Sequence, residues 1–214
     1  MKGKFITFEG PEGSGKSTQI AKLARRLRDR GRKVLCTREP GGTRTGEAIR
    51  NILQHDAAGE PICAEAETLL FAASRAQLVN RVILPALKKG TCVLCDRFAD
   101  STTVYQGFGR GLDAESISVI NSFAIDGAVP NLTILLDVDV KKGFARLGKR
   151  NCARNTGRDR IEREKRSFHE RVRSGYLKLA KRERKRFAVI DANRNIAAVE
   201  TDVWKVVEKL IREP

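Results

Sequence analysis

The chain has 214 residues, 41% hydrophobic and 32% charged. That balance excludes disordered, collagen-like and fibrous classes and provides enough apolar mass for a core without disulfide or metal staples. The formal charge is +16, no stretch approaches 18 apolar residues, and the N-terminus turns acidic after a short apolar run, unlike a signal peptide.

In chain order, Phe5–Phe8 reads as a first strand and Ser17–Arg30 as a first helix. Val34–Thr37 is a second strand, and the long apolar periodicity over Ala64–Lys88 predicts one helix. Cys92–Cys95 is a third strand, followed by a helix over Glu115–Ile125. Leu132–Leu136 is the fourth strand, with helices over Val140–Arg150 and Ile161–Lys185. Phe187–Ile190 is the fifth strand, and Ile196–Ile211 the last helix. The strands are short, continuous and β-branched, as strands buried on both faces are. Their alternation with helices predicts an α/β fold with a five-stranded parallel sheet and right-handed crossovers. No repeat or composition break divides the chain, so residues 1–214 are expected to form one domain.

Cys92 and Cys95 form a CxxC, but residues three apart on a strand point to opposite faces, so core packing is expected rather than a metal or disulfide. The five cysteines show no disulfide framework, which fits a reduced, cytoplasmic protein. His55 and His169 have no ligand-spaced partners. Residues 141–186 carry 19 Lys and Arg against 5 Asp and Glu, a bias that fits either an anionic partner or a solvated helix. Within it, Gly, Asn and Thr between Gly148 and Arg160 predict a mobile loop carrying Arg150, Arg154, Arg158 and Arg160.

Gly10-Pro-Glu-Gly-Ser-Gly-Lys-Ser17 matches the phosphate-loop pattern and lies between a strand and a helix, the context it requires. Its backbone N–H groups and the helix N-terminus would cradle phosphates. Lys16 would bridge the outer phosphates, and the Ser17 hydroxyl would ligate Mg²⁺. Gly10, Pro11, Glu12, Gly13, Ser14, Gly15, Lys16, Ser17 and Thr18 form the expected ATP site. A second metal-side carboxylate should end a neighbouring strand. Asp96 is preferred to Asp137, because Arg97 follows it and could hold another phosphate.

Five segments extend the pattern: Phe8-Glu-Gly-Pro-Glu-Gly-Ser-Gly-Lys-Ser-Thr-Gln, Thr37-Arg-Glu-Pro-Gly-Gly-Thr, Leu70-Phe-Ala-Ala-Ser-Arg-Ala-Gln, Asp96-Arg-Phe with Ser101-Thr and Tyr105-Gln-Gly, and Asp159-Arg-Ile-Glu. From residue 4 to about 192 the chain resembles the thymidylate kinase family. That resemblance implies the P-loop nucleoside-monophosphate kinase fold with a lid near 148–160, Mg²⁺-dependent phosphoryl transfer from ATP to dTMP, and a homodimer, with neither membrane nor nucleic acid as partner. It implies that Phe71 stacks on thymine and Arg75 meets its carbonyl edge. Glu12 would face the sugar hydroxyl and Tyr105 exclude a ribose 2′-OH. Arg38 and Arg97 would hold the acceptor phosphate, with Thr102, Thr103 and Gln106 near the base. Because the P-loop has Gly13 where some relatives carry a catalytic arginine, the resemblance implies that a lid arginine replaces it, with Arg154 first and Arg150, Arg158 and Arg160 as alternatives. A kinase for another small nucleotide and a nucleic-acid-stimulated ATPase are the rival readings.

Overall fold

The computed structural model describes residues 3–55, 59–154 and 157–212. Five strands, β1 (Phe5–Glu9), β2 (Val34–Arg38), β3 (Cys92–Asp96), β4 (Leu132–Asp137) and β5 (Phe187–Asp191), form one parallel sheet in the order β2-β3-β1-β4-β5. The three central strands are buried along nearly their whole length, whereas β2 and β5 at the edges are half-exposed. Every strand ends on a charged residue: Glu9, Arg38, Asp96, Asp137 and Asp191. In register, Phe8 pairs with Asp96, Arg38 with Asp96, and Asp137 with Asp191. The sheet's carboxyl edge is therefore lined by charge, and this is the edge where open α/β sheets bind ligands.

Helices cover both faces. On one, α1 (Lys16–Arg28) and the C-terminal helix bury Leu23, Leu27 and Trp204 against Ile6, Phe8, Cys92, Leu94 and Ile134. On the other, Phe5, Val93, Cys95 and Phe98 pack with Leu78 and Ile83. Cys92 and Cys95 thus enter different core clusters and are free thiols.

Several elements differ from the expected ones. A helix α2 (Arg44–His55) follows β2, with the Thr43 hydroxyl accepting from the Gly46 N–H at 2.9 Å. The helix expected over Ala64–Lys88 is three pieces: α3 (Ala64–Leu78), a π-helical turn Val79–Ile83, and α4 (Leu84–Lys88). Pro85 explains the break, since it offers no N–H and its ring would strike the carbonyl four residues back; a wider turn relieves the clash. A short α5 (Ala99–Thr102) runs into a second π turn, Thr103–Gly109, a segment to which the sequence pattern assigns no element. Next come α6 (Ala114–Ile125), capped by Asp113 on the Ser116 N–H at 2.8 Å, and α7 (Val140–Arg154). The expected helix Ile161–Lys185 starts only at Arg166, as α8 (Arg166–Arg182), and α9 (Ile196–Arg212) closes the chain.

The arginine-rich segment is the loop expected only over residues 157–160, which carry Arg158 and Arg160. Helix α7 continues through Gly148, Asn151 and Cys152 to Arg154; one interior glycine costs only about 1 kcal/mol, and Asn151 is buried and donates to Glu162 at 3.3 Å. Of the expected lid, Asn155 and Thr156 lie outside the described residues, as do the side chains of Arg154 and His55.

Candidate active site

The phosphate loop leaves β1 through Gly10 and enters α1 after Gly15, both at positive φ. No side chain caps α1, so its first-turn N–H groups are left for an anion. Lys16 is buried and folds back over the loop, donating to the Gly10 carbonyl at 3.1 Å, the Pro11 carbonyl at 3.2 Å and the Ser14 hydroxyl at 3.4 Å. Burial and the neighbouring Arg97 push its pKa down to about 8, which leaves a cation poorly compensated until phosphate arrives. The Ser17 hydroxyl donates to Asp96 Oδ2 at 2.8 Å. A hydroxyl and one carboxylate, with phosphates completing the shell, suit Mg²⁺. Asp137 is already occupied, gripped by Arg173 through Nε at 2.7 Å and Nη2 at 2.9 Å. This gives a firmer reason to prefer Asp96 than its neighbour Arg97 does.

Arg97 follows β3 at φ 69°. Its Nη2 donates to Glu12 at 2.6 Å, and its Nη1 to the Gly10 carbonyl at 3.2 Å and the Tyr176 hydroxyl at 3.3 Å. The same Glu12 oxygen accepts from the Tyr105 hydroxyl at 2.8 Å. Burial alone would raise the Glu12 pKa, but Arg97 and Lys16 hold it at about 2. Glu12, Arg97 and Tyr105 are thus one cluster beside the phosphate loop.

Beneath it lies Glu9, which the sequence reading did not single out. It accepts from the Phe98 N–H at 2.8 Å, the Ser101 hydroxyl at 2.6 Å and the Tyr176 hydroxyl at 2.7 Å. Burial and Asp100 push its pKa up to about 7. These bonds hold the turn that carries Arg97. A lone glutamate ending an apolar strand was the available signal.

Farther along the cleft, Arg75 is 1% exposed. It donates to Glu39 through Nε at 2.9 Å, to Asn121 through Nη1 at 2.8 Å and to Thr102 through Nη2 at 3.0 Å, with its guanidinium 5.5 Å over the Phe98 ring. Phe71, one turn earlier on α3, is half-buried. Gln106 donates to Glu67 at 2.7 Å, and the Thr103 hydroxyl accepts from Asn121 at 3.1 Å. Arg38 instead lies exposed, with Nη2 on both Glu47 oxygens at 3.0 Å. Arg50 on α2 was also missed. It is half-buried, donates to the Pro40 carbonyl at 2.9 Å, and lies within the fields of Arg38, Asp159 and Asp96.

The four segment arginines are not equivalent. Arg150 pairs with Glu162 at 2.8 Å and Arg158 sits 5.5 Å over the Phe144 ring, both exposed. Arg160 is committed elsewhere, donating to the Leu53 carbonyl at 2.9 Å and pairing with buried Glu67. Much of the basic segment is spent internally in the same way: Arg146 on the Ala192 carbonyl, Arg171 on the Gly109 carbonyl, Arg173 on Asp137, and Arg186 on Asp100.

Phosphate-binding backbone on one side of the Glu12–Arg97 pair, and a buried polar cluster on the other, is the layout of a P-loop nucleoside-monophosphate kinase, and the molecule is an enzyme of that class. The thymidylate kinase family model matches residues 8–203, and the chain belongs to that family. It is 52% identical over 213 residues to a thymidylate kinase of Pelotomaculum thermopropionicum, covering 99% of this chain and 95% of that protein. It is also 52% identical over 206 residues to one of Geobacter sulfurreducens, covering 96% of each. The crystal structure of thymidylate kinase from Ehrlichia chaffeensis superposes with a TM-score of 0.76 at 35% identity, covering 97% of this chain and 99% of that one.

Proposed function

We propose that this enzyme transfers the γ-phosphoryl group of ATP to dTMP, giving ADP and dTDP, with the residues of the cleft dividing the work as follows from their contacts. The observation that carries the reading is the Glu12–Arg97–Tyr105 cluster, which sets acceptor-directed groups against the phosphate loop. Lys16 exchanges its backbone carbonyl partners for the donor's phosphates, and Gly10–Thr18 supply backbone N–H groups around them. Ser17 and Asp96 hold Mg²⁺, which neutralises phosphate charge when bound. Arg97 orients the acceptor phosphate. Arg38 and Arg50 join it by swinging from Glu47 and the Pro40 carbonyl. Glu12, ionised throughout the neutral range, accepts from the sugar hydroxyl and fixes Arg97. Tyr105 closes the space beside it against a 2′-hydroxyl. Phe71 stacks on the base and Arg75 donates to its carbonyl, with Thr102, Thr103 and Gln106 alongside.

No covalent enzyme intermediate is needed; positioning and charge neutralisation carry the reaction. The segment 148–160 serves as the lid within a single domain. Exposed Arg158, and Arg150 by leaving Glu162, turn inward, Arg154 is the third candidate, and Arg160 is the anchor.

Leu69 on α3 and Val119 and Phe123 on α6 expose large apolar surfaces, Phe123 at 86%, on two helices that pack together. These support a homodimer, since such patches mark interfaces. Five free cysteines fit a reducing cytoplasm. Among the described residues no helix is long and apolar enough to cross a membrane.

The test compares ADP formation with dTMP and Mg²⁺ against DNA-stimulated ATP hydrolysis. Rapid dTMP-dependent turnover with no response to DNA supports the kinase; the converse overturns it.

A further inference from the structure

Asn121 on α6 is 7% exposed. Its Oδ1 accepts from Arg75 Nη1 at 2.8 Å, while its Nδ2 donates to the Ala99 carbonyl at 3.2 Å and the Thr103 hydroxyl at 3.1 Å. Because a guanidinium can only donate, the amide must face it with oxygen, and its orientation is fixed. One amide therefore ties Arg75 on α3 to the segment that follows Arg97 and leads into the π turn bearing Tyr105 and Gln106.

A count of Arg75's five N–H groups gives the consequence. Nε donates to a Glu39 oxygen at 2.9 Å, and one Nη2 hydrogen is taken up by the ion pair to that same oxygen, 2.8 Å away. The other Nη2 hydrogen goes to Thr102 and one Nη1 hydrogen to Asn121. Among the described residues, one N–H remains, on the nitrogen that Asn121 holds. We infer that Asn121 is a positioning residue for base recognition, aiming the one uncommitted N–H of Arg75 at a base carbonyl. This rests on the proposal that Arg75 meets the acceptor base. A donor fixed in this way accepts thymine and uracil alike and rejects a base that presents an amino group at that edge. Asn121 therefore acts on the choice between dTMP and dCMP and leaves that between dTMP and dUMP unchanged.

The experiment is steady-state kinetics with dTMP, dUMP and dCMP on four proteins: wild type, Asn121→Ala, Arg75→Ala and the double variant. In the Asn121→Ala enzyme, KM for dTMP and dUMP should rise about tenfold, as for loss of one hydrogen bond to a charged group. KM for ATP and kcat should stay within twofold, and the dTMP:dCMP preference in kcat/KM should fall about tenfold. Adding Asn121→Ala to Arg75→Ala should change the dTMP KM by less than twofold, because the residue acts through the arginine. Asn121→Asp keeps an acceptor for Arg75 and should hold the dTMP KM within threefold of wild type. If the alanine variant does not fold, Asn121→Leu fills the volume and is read identically. An unchanged dTMP:dCMP ratio, an effect that persists without Arg75, or an equal rise in the ATP KM overturns the inference. Wild-type enzyme that fails to phosphorylate dTMP overturns the functional proposal instead, and the two failures are separable.

Discussion

Helix α7 meets the phosphate loop with no side chain between them, and Gly143→Ala tests what that approach does. A β-carbon on Gly143 would overlap the Glu12 carbonyl oxygen, well inside the 3.0 Å that real β-carbons respect, and would touch Val138 Cγ1 at 3.4 Å. The approach is reciprocal: a β-carbon on Gly13, itself at φ 69°, would lie 2.9 Å from Gly143 Cα and closer still to its carbonyl. Both obstacles are backbone, so no side chain can swing away. Restoring ordinary contact requires helix and loop to part by about 1 Å, and a displacement of that size at a reacting centre costs about 10² in rate. The shift would disturb the Glu12–Arg97 pair at 2.6 Å and the anchors of Lys16 on Gly10 and Pro11. Overpacking should cost about 1–3 kcal/mol of stability. Steady-state kcat and both KM values, with urea denaturation of the same preparations, measure the two effects. The expected outcome is a folded protein with kcat reduced about 10²-fold; kcat within twofold of wild type would refute the reasoning. By the same geometry, Gly13→Arg should inactivate the enzyme rather than add a catalytic cation.

Lys16→Ala should leave the fold intact by circular dichroism and reduce transfer by orders of magnitude; near-normal turnover would show that the loop holds no phosphate. Among the segment arginines, Arg160→Ala should lower Tm more than Arg150→Ala or Arg158→Ala, because it alone pairs with buried Glu67. A large kcat loss at Arg150, Arg154 or Arg158, with dTMP KM little changed, would identify the cation supplied to the transition state. Glu9, whose folded pKa is raised from 4.5 to about 7, contributes stability fully present below pH 4.5 and lost as pH rises through 7. The change is at most about 3.5 kcal/mol at about 1.4 kcal/mol per unit. Glu9→Gln should abolish that slope in urea titrations between pH 4.5 and 8, and an unchanged slope would contradict the burial assigned to Glu9.

The parts of the molecule legible in the sequence were those set by local pattern. Strand positions followed from short apolar runs, and the phosphate loop from its glycines between strand and helix. Asp96 was preferred to Asp137 for its neighbour Arg97, whereas the contact that bears on the choice, Arg173 closing on Asp137 from α8, is tertiary. Glu9 stood out only as a lone glutamate ending an apolar strand; its role was not legible, since its donors come from residues 98, 101 and 176. Helix α2 was legible but unread: Thr43 offered the cap, and Ile49, Ile52 and Leu53 the apolar stripe. The π turns had no sequence signature beyond Pro85. In the arginine-rich segment, Gly148 and Asn151 suggested a loop, and the pairing of Asn151 and Arg150 with Glu162 accounts for the helix that carries them.

The central claim is that the phosphate loop serves an acceptor whose base is read at Arg75. It is tested most directly by kcat/KM for dTMP, dUMP, dCMP, dGMP, AMP and CMP at saturating ATP and Mg²⁺. A preference for dTMP over AMP, CMP and dCMP of at least about 10² is the predicted result, and equal turnover of AMP and dTMP would contradict it.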